Sequence, residues 1–298
     1  MWGQWWEQFW FTPASARNLA AARIVTAATA LWVLLSRDLP AISGFPLAFW
    51  SRVPWTTQWR YLIFPGQETL ERLLQSLAVL ALCGVLLGCW PRLCCFVAAL
   101  LLYHLAPLEP ILWLNTPYLR GLDTPLIALM GLSLAPCGDV WAVSWRHRPP
   151  RALSWRYGWP VRLIQVHLSA IYFFAAYSKL VDVGLGWATA SNMQAWMLAF
   201  NQGFEAKPFL QPGLWLAAQP LLCQWVGIAS WLLEFGFIAM LWSTRLRWLL
   251  LPATLVFHLG ILLTMNITVL YLPFLLVFVN WDAFWQAVRN RGASAANA

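Results

Sequence analysis

With 298 residues, 61% of them hydrophobic and 10% charged, and a mean hydropathy of +0.62, the chain carries far more apolar surface than a soluble globular protein of this size can bury. Its net charge of +8 comes from arginines in short loops beside apolar runs, so the charge reflects membrane topology and no nucleic-acid partner is expected. The class is an all-α polytopic membrane protein whose main partner is the lipid bilayer.

The N-terminus, Met-Trp-Gly-Gln-Trp-Trp-Glu, lacks the basic n-region, apolar core and small-residue cleavage site of a secretory signal, so the first apolar run is expected to be a retained helix. Apolar stretches lie at 18–36, 72–90, 92–108, 121–136, 161–181, 222–243, 246–264 and 267–283. A crossing helix needs ~20 residues, fewer where the bilayer thins, which predicts about eight transmembrane helices. Eight crossings put both termini on one side. That side holds Arg17, Arg92, Arg146, Arg148, Arg151, Arg156, Arg245, Arg247, Arg289 and Arg291. The other side has longer loops of mixed charge, with Arg37, Asp38, Arg52, Arg60, Glu68, Glu109, Arg120, Asp182, Glu205 and Lys207. The positive-inside rule then makes both termini cytoplasmic, in the cell (inner) membrane.

Many of the 23 tryptophans stand at the edges of apolar runs, among them Trp50, Trp55, Trp59, Trp141, Trp145, Trp155, Trp159, Trp281 and Trp285, where an amphipathic ring suits the headgroup zone. Two outer loops are long. Residues 37–71, with Pro40, Pro46, Pro54 and Pro65, predict re-entrant or interfacial pieces. Residues 182–221, with Trp187, Trp196, Phe200, Phe204 and Trp215 between Pro and Gly breaks, predict short amphipathic helices on the membrane. No internal repeat with matching broken helices is present, which disfavours a small-solute transporter.

The chain has two lysines against seventeen arginines, and Lys179 ends an apolar run. On the fifth span Arg162, Gln165, Ser169, Tyr172, Ala176 and Lys179 fall at helical spacing, within an arc of about 100°. Lipid rejects a polar stripe, so it is expected to face protein or a cavity. Two readings of Lys179 stay open. It faces inward and can lose its proton, which a guanidinium practically never does, or it snorkels outward and pairs with Asp182. On the sixth span Gln224, Gly227, Trp231 and Glu234 form a second stripe, and an intramembrane carboxylate there needs a partner or a proton. On the seventh, Thr254, His258 and Met265 share a face. His104 and His167 read as structural, and Asp123 reads as an acidic N-terminal cap that opens the fourth span in favourable register with the helix dipole.

The cysteines Cys83, Cys89, Cys94, Cys95 and Cys223 lie in or beside apolar runs, with no Cys-x-x-Cys pair, and read as small buried hydrophobes; lipidation of Cys94-Cys95 is the weaker alternative. Four scattered histidines give no metal site, and no phosphate loop, serine elbow or zinc motif is present.

The stretch Gln165-Val-His-Leu-Ser-Ala-Ile-Tyr172-Phe-Phe-Ala-Ala-Tyr-Ser-Lys179-Leu, followed by Trp187, resembles the signature helix of the HTTM (horizontally transferred transmembrane) domain family, which includes the vitamin K-dependent gamma-carboxylase. Phe257-His258 through Asn266 with Asp282, and Trp113-Leu-Asn115-Thr116-Pro-Tyr118-Leu-Arg-Gly121 with Asp123, are similar to two further family segments. The resemblance implies an HTTM-like transmembrane domain over 18–283, between a cytoplasmic or interfacial segment 1–17 and a cytoplasmic tail 284–298. It also implies Lys179 as the base that deprotonates a hydroquinone in an outward-facing cavity lined by Tyr172, Gln165, Ser169, Glu234, His258, Asn115 and Asp123. Thr116 stands where the carboxylase has a functional histidine, and the chain is expected to lack its large lumenal region, so full gamma-carboxylation is not expected. The competing expectation is a non-catalytic membrane component that assists maturation or export of a partner protein.

Overall fold

The computed structural model describes residues 2–45, 67–108, 121–143, 153–202 and 212–296. Regular structure among them is helical, apart from one isolated bridge between Ala14 and Ser154. In chain order the α-helices are α1 (Trp2–Phe11), α2 (Ala16–Leu35), α3 (Pro40–Ser43), α4 (Glu68–Leu87), α5 (Pro91–Leu105), α6 (Asp123–Leu134), α7 (Trp155–Val183), α8 (Ala190–Gln202), α9 (Pro212–Ala217), α10 (Pro220–Gly236), α11 (Thr244–Met265) and α12 (Trp281–Ala296).

Six stretches are long and apolar enough to cross a membrane: Ala16–Leu35, Glu68–Leu87, Pro91–Leu108, Trp155–Ala188, Pro220–Leu241 and Thr244–Met265. The chain is therefore a multi-pass membrane protein. α6 is apolar but shorter. The last predicted stretch, 267–283, does not make one α-helix. Asn266, at φ 56, ends α11 in the left-handed region, and Pro273 cannot donate to a continuing ladder. A 3-10 helix, Leu272–Phe278, takes its place before α12 begins. Seven residues of 3-10 helix cover roughly 14 Å, well short of a ~30 Å hydrocarbon core.

The chain divides into two compact units, Met1–Ile164 with Pro273–Ala298, and Gln165–Leu272. In the first, α2, α4, α5 and α6 pack on one another. Ala20, Ala22, Ala27 and Ala30 are buried on α2, and such small side chains let helices approach closely where lipid supplies no hydrophobic drive. Gly88 at φ +75 closes α4, and Trp90 followed by Pro91 opens α5. α12 is tied to α2 by the Arg17–Asp282 ion pair and by the Trp281 backbone N–H donating to Asn18 Oδ1 at 2.8 Å.

The second unit holds the remainder of α7, a 3-10 turn Gly184–Ala188, α8 to α11 and a 3-10 turn Phe237–Leu241. The short helices α8 and α9 fall within residues 182–221, for which the sequence predicts short helices. Asn201 Nδ2 donates to the Thr264 carbonyl at 2.7 Å and binds α8 to the end of α11. Side chains such as Trp248, Val256 and Leu263 of α11 are exposed, as a lipid-facing surface requires.

Candidate functional site

α7 buries one face along its length within the second unit. Gln165, Leu168, Ser169, Tyr172 and Ala176 are buried, whereas Phe174, Tyr177, Ser178 and Leu180 on the other faces are exposed. The polar stripe therefore points into protein, the favourable solution for hydroxyls and amides at membrane depth.

At the end of this stripe, Lys179 Nζ donates to both carboxylate oxygens of Glu234 on α10. The pair is largely enclosed, with side-chain exposures of 15% and 8%. Asp182 is exposed, so the lysine's carboxylate is the one across the helix pair. The Lys179 ammonium also stands 4.9 Å from the Trp187 ring centroid, a cation–π distance. Trp187 is positioned by the Gly184–Ala188 turn, and its carbonyl accepts from Asn192 Nδ2 at 2.9 Å. Its own indole Nε1 is buried without a hydrogen-bond partner.

The turn and α10 sit very close. A Cβ at Gly227 would lie 3.1 Å from Ala188 Cα and 3.0 Å from Met193 Cγ, so glycine permits the approach. The buried line on α10 runs Cys223, Gly227, Ser230, Glu234. Gln224, expected on that stripe, is exposed. Two ladders one residue apart differ by about 100° around the helix, and the one carrying Cys223 and Ser230 faces the protein. Trp231 flanks it and donates from Nε1 to the Ala176 carbonyl at 3.1 Å, fixing the register of α10 on α7.

Within the same unit, the Tyr172 hydroxyl and His258 Nε2 are 2.6 Å apart, both side chains buried. Tyr172 stacks on Phe237 at a centroid distance of 4.0 Å, and Tyr271 meets it edge-on at 6.0 Å. His258 Nδ1 and Ser169 Oγ are buried without a partner. Whichever tautomer His258 adopts, Nδ1 is left as an orphan donor or acceptor, and such groups are uncommon. The second unit thus holds Gln165, Ser169, Tyr172, Lys179, Glu234 and His258, and within it Lys179 meets Glu234 and Tyr172 meets His258. Asp123, expected as the N-terminal cap, is instead the first residue of α6 in the first unit, and Leu122 holds the cap position. Asn115 and Thr116 lie outside the described residues.

A second buried acid–base pair goes beyond the sequence expectations. Glu71 on α4 and His104 on α5 are each 1% exposed, with His104 Nε2 at 2.8 and 3.0 Å from the two carboxylate oxygens. A signal for it exists in the spacing: Glu71, Gln75, Ala78, Leu82 and Val85 follow the helical period, and all but the half-buried Gln75 are buried. No cluster of three metal-binding side chains occurs among the described residues.

No curated protein and no solved structure matches the chain. A family model does, that of the HTTM domain, over residues 11–282, which takes in α2 to α11, the Lys179–Glu234 pair and the Tyr172–His258 pair. The chain belongs to the HTTM domain family.

Proposed function

We propose that this protein is a carboxylase-like membrane enzyme in which Lys179 serves as general base on a quinone or other lipid-linked substrate, reached from the outer face. The observation that supports this is the enclosure of Lys179 with Glu234 beneath Trp187, with Asp182 left exposed. A lysine kept only for the interface would have no need of an inward carboxylate.

An ammonium and a carboxylate joined by a hydrogen bond become a neutral amine and acid by one proton transfer along that bond. With the proton on Glu234, Lys179 Nζ has a lone pair and can take a proton from a bound acid. Trp187 and Trp231 set aromatic rings beside the lysine, and His258 Nδ1 and Ser169 Oγ in the same unit are hydrogen-bonding atoms without a partner. These residues fit a quinone. A bound hydroquinone supplies an acidic phenolic hydroxyl, and Lys179 is the group that would hold its proton. On the same reading the chain lies in the inner membrane with both termini cytoplasmic, consistent with Arg17, Arg156, Arg245 and Arg289 on the terminus side.

The test is oxygen uptake by purified full-length protein given a reduced quinone, run beside quenching of tryptophan fluorescence by the oxidised quinone. Uptake abolished in Lys179→Ala, with quenching retained, supports the reading. Uptake unchanged in that variant, or no quinone binding by a protein that co-purifies with a stoichiometric partner, overturns it in favour of a non-catalytic role.

A further inference from the structure

Where the sequence predicts only a tail, α12 continues as a helix through Ala296. Its first two residues are anchored to the first unit. Trp281 donates its backbone N–H to Asn18 Oδ1 at 2.8 Å and its indole N–H to the Leu276 carbonyl at 2.9 Å, and Asp282 pairs with Arg17. Arg17 and Asn18 lie in the first turn of α2, a spanning helix of 20 residues. At 1.5 Å per residue that length matches a ~30 Å hydrocarbon core, so α12 starts at the level where α2 meets the membrane surface.

Beyond the anchor, Phe284, Trp285, Val288 and Arg289 are all exposed. At 100° per residue Trp281, Phe284, Trp285 and Val288 fall within an arc of about 100°, while Asp282, Gln286 and Asn290 lie on the other side. Arg289 borders the apolar arc, about 40° from Trp285. After the paired Asp282 the chain carries Arg289 and Arg291 and no acidic residue. The neighbouring surface repeats this chemistry. A backbone bridge between Ala14 and Ser154 brings exposed Phe11 edge-on to exposed Trp155, whose ring centroid lies 5.7 Å from the Arg156 guanidinium.

We propose that α12 is an interfacial helix that binds the anionic phospholipids of the leaflet on the side of the termini. Phe284, Trp285 and Val288 enter the boundary between headgroups and acyl chains, and Arg289 and Arg291 hold lipid phosphates. The Arg17 pair keeps Asp282 from repelling them. A second copy of the chain is the poorer occupant, because α12 offers no acidic side chain beyond Asp282 to meet another copy's arginines. This inference stands apart from the chemistry of Lys179.

The experiment is hydrogen exchange read by mass spectrometry on full-length protein in nanodiscs. One set of discs is phosphatidylcholine alone, the other equal parts phosphatidylcholine and phosphatidylglycerol. The amides of α12 should exchange roughly thirtyfold more slowly in the anionic discs, the joint effect expected of two arginines at a charged surface. Arg289→Gln combined with Arg291→Gln should erase that difference, and Phe284→Ser combined with Val288→Ser should speed exchange in both lipids. Exchange over α5 in the same digests shows that each variant is folded. Equal exchange of α12 in the two lipids overturns the proposal. So does slowing that persists in the arginine double variant, or that appears only in discs holding two copies.

Discussion

The Tyr172 hydroxyl and His258 Nε2 meet at 2.6 Å although 86 residues separate them in sequence. The bond joins the buried face of α7 to α11, and the Phe237 stack prevents the phenol from turning away. Removing that hydroxyl strands a second nitrogen of an imidazole whose Nδ1 already lacks a partner. Tyr172→Phe should therefore lower stability by about 1–3 kcal/mol, the cost of an unsatisfied buried polar group. Thermal unfolding in detergent reads this directly. A midpoint equal to that of the parent would show that the hydrogen bond contributes nothing.

Breaking the Lys179–Glu234 pair from one side should be costlier than removing it altogether. Glu234→Leu leaves an ammonium in an apolar setting and should destabilise by ~3–5 kcal/mol, whereas Lys179→Met combined with Glu234→Leu should recover most of that loss. The double variant should regain stability but no quinone-dependent activity. A double variant no more stable than Glu234→Leu would contradict the pairing.

The Glu71–His104 pair makes a parallel case in the first unit. Glu71→Ala should cost ~3–5 kcal/mol because His104 is left buried beside a void, and Glu71→Gln less, because the amide keeps one hydrogen bond. Ranking the two midpoints against the parent checks this; equal losses would mean that the amide recovers nothing and that His104 requires the carboxylate itself.

Gly227→Leu should overpack the contact with Ala188 and Met193, for a loss of about 1–3 kcal/mol or more. The added bulk should displace the turn that carries Trp187. Differential alkylation of Lys179 by an amine reagent would report that displacement, because the lysine should become more reactive without being mutated. Unaltered reactivity in a folded variant would dissociate Gly227 from the site.

Arg17→Ala should matter little. Arg17 and Asp282 are a quarter to a third exposed, and partly solvated pairs are worth roughly 0–1 kcal/mol. A larger fall in the midpoint would mean that α12 is a structural part of the first unit.

Much of the helical plan was legible because membrane helices obey local rules. Apolar length marked the spans, and the spacing of Gln165, Ser169, Tyr172 and Ala176 marked the face that is buried. Where spacing allowed two ladders, on α10, polarity selected Gln224 and packing selected Cys223 and Ser230. The partner of Lys179 stayed open between Asp182, adjacent in sequence, and an inward group such as Glu234, which is adjacent only in space. Glu71 with His104 is likewise a pair that only the fold brings together. Each is joined by tertiary contacts between two segments that carry no mark of each other. The loss of α-helix over 267–283 was announced by Asn266 and Pro273, but hydropathy counted only the apolar residues between and beyond them.

The contacts that build the lysine site converge on one helix. Gly227 meets the Trp187 turn, Trp231 grips the Ala176 carbonyl and Glu234 receives Lys179, so three successive stations on α10 each engage a different point of the neighbouring chain. Their spacing works as a vernier. Inserting a single alanine between Trp231 and Glu234 would rotate the carboxylate by about 100° while leaving the first two stations engaged. Such a protein would keep its helices and its turn and lose only the proton partner, turning a question of chemistry into one of angular register.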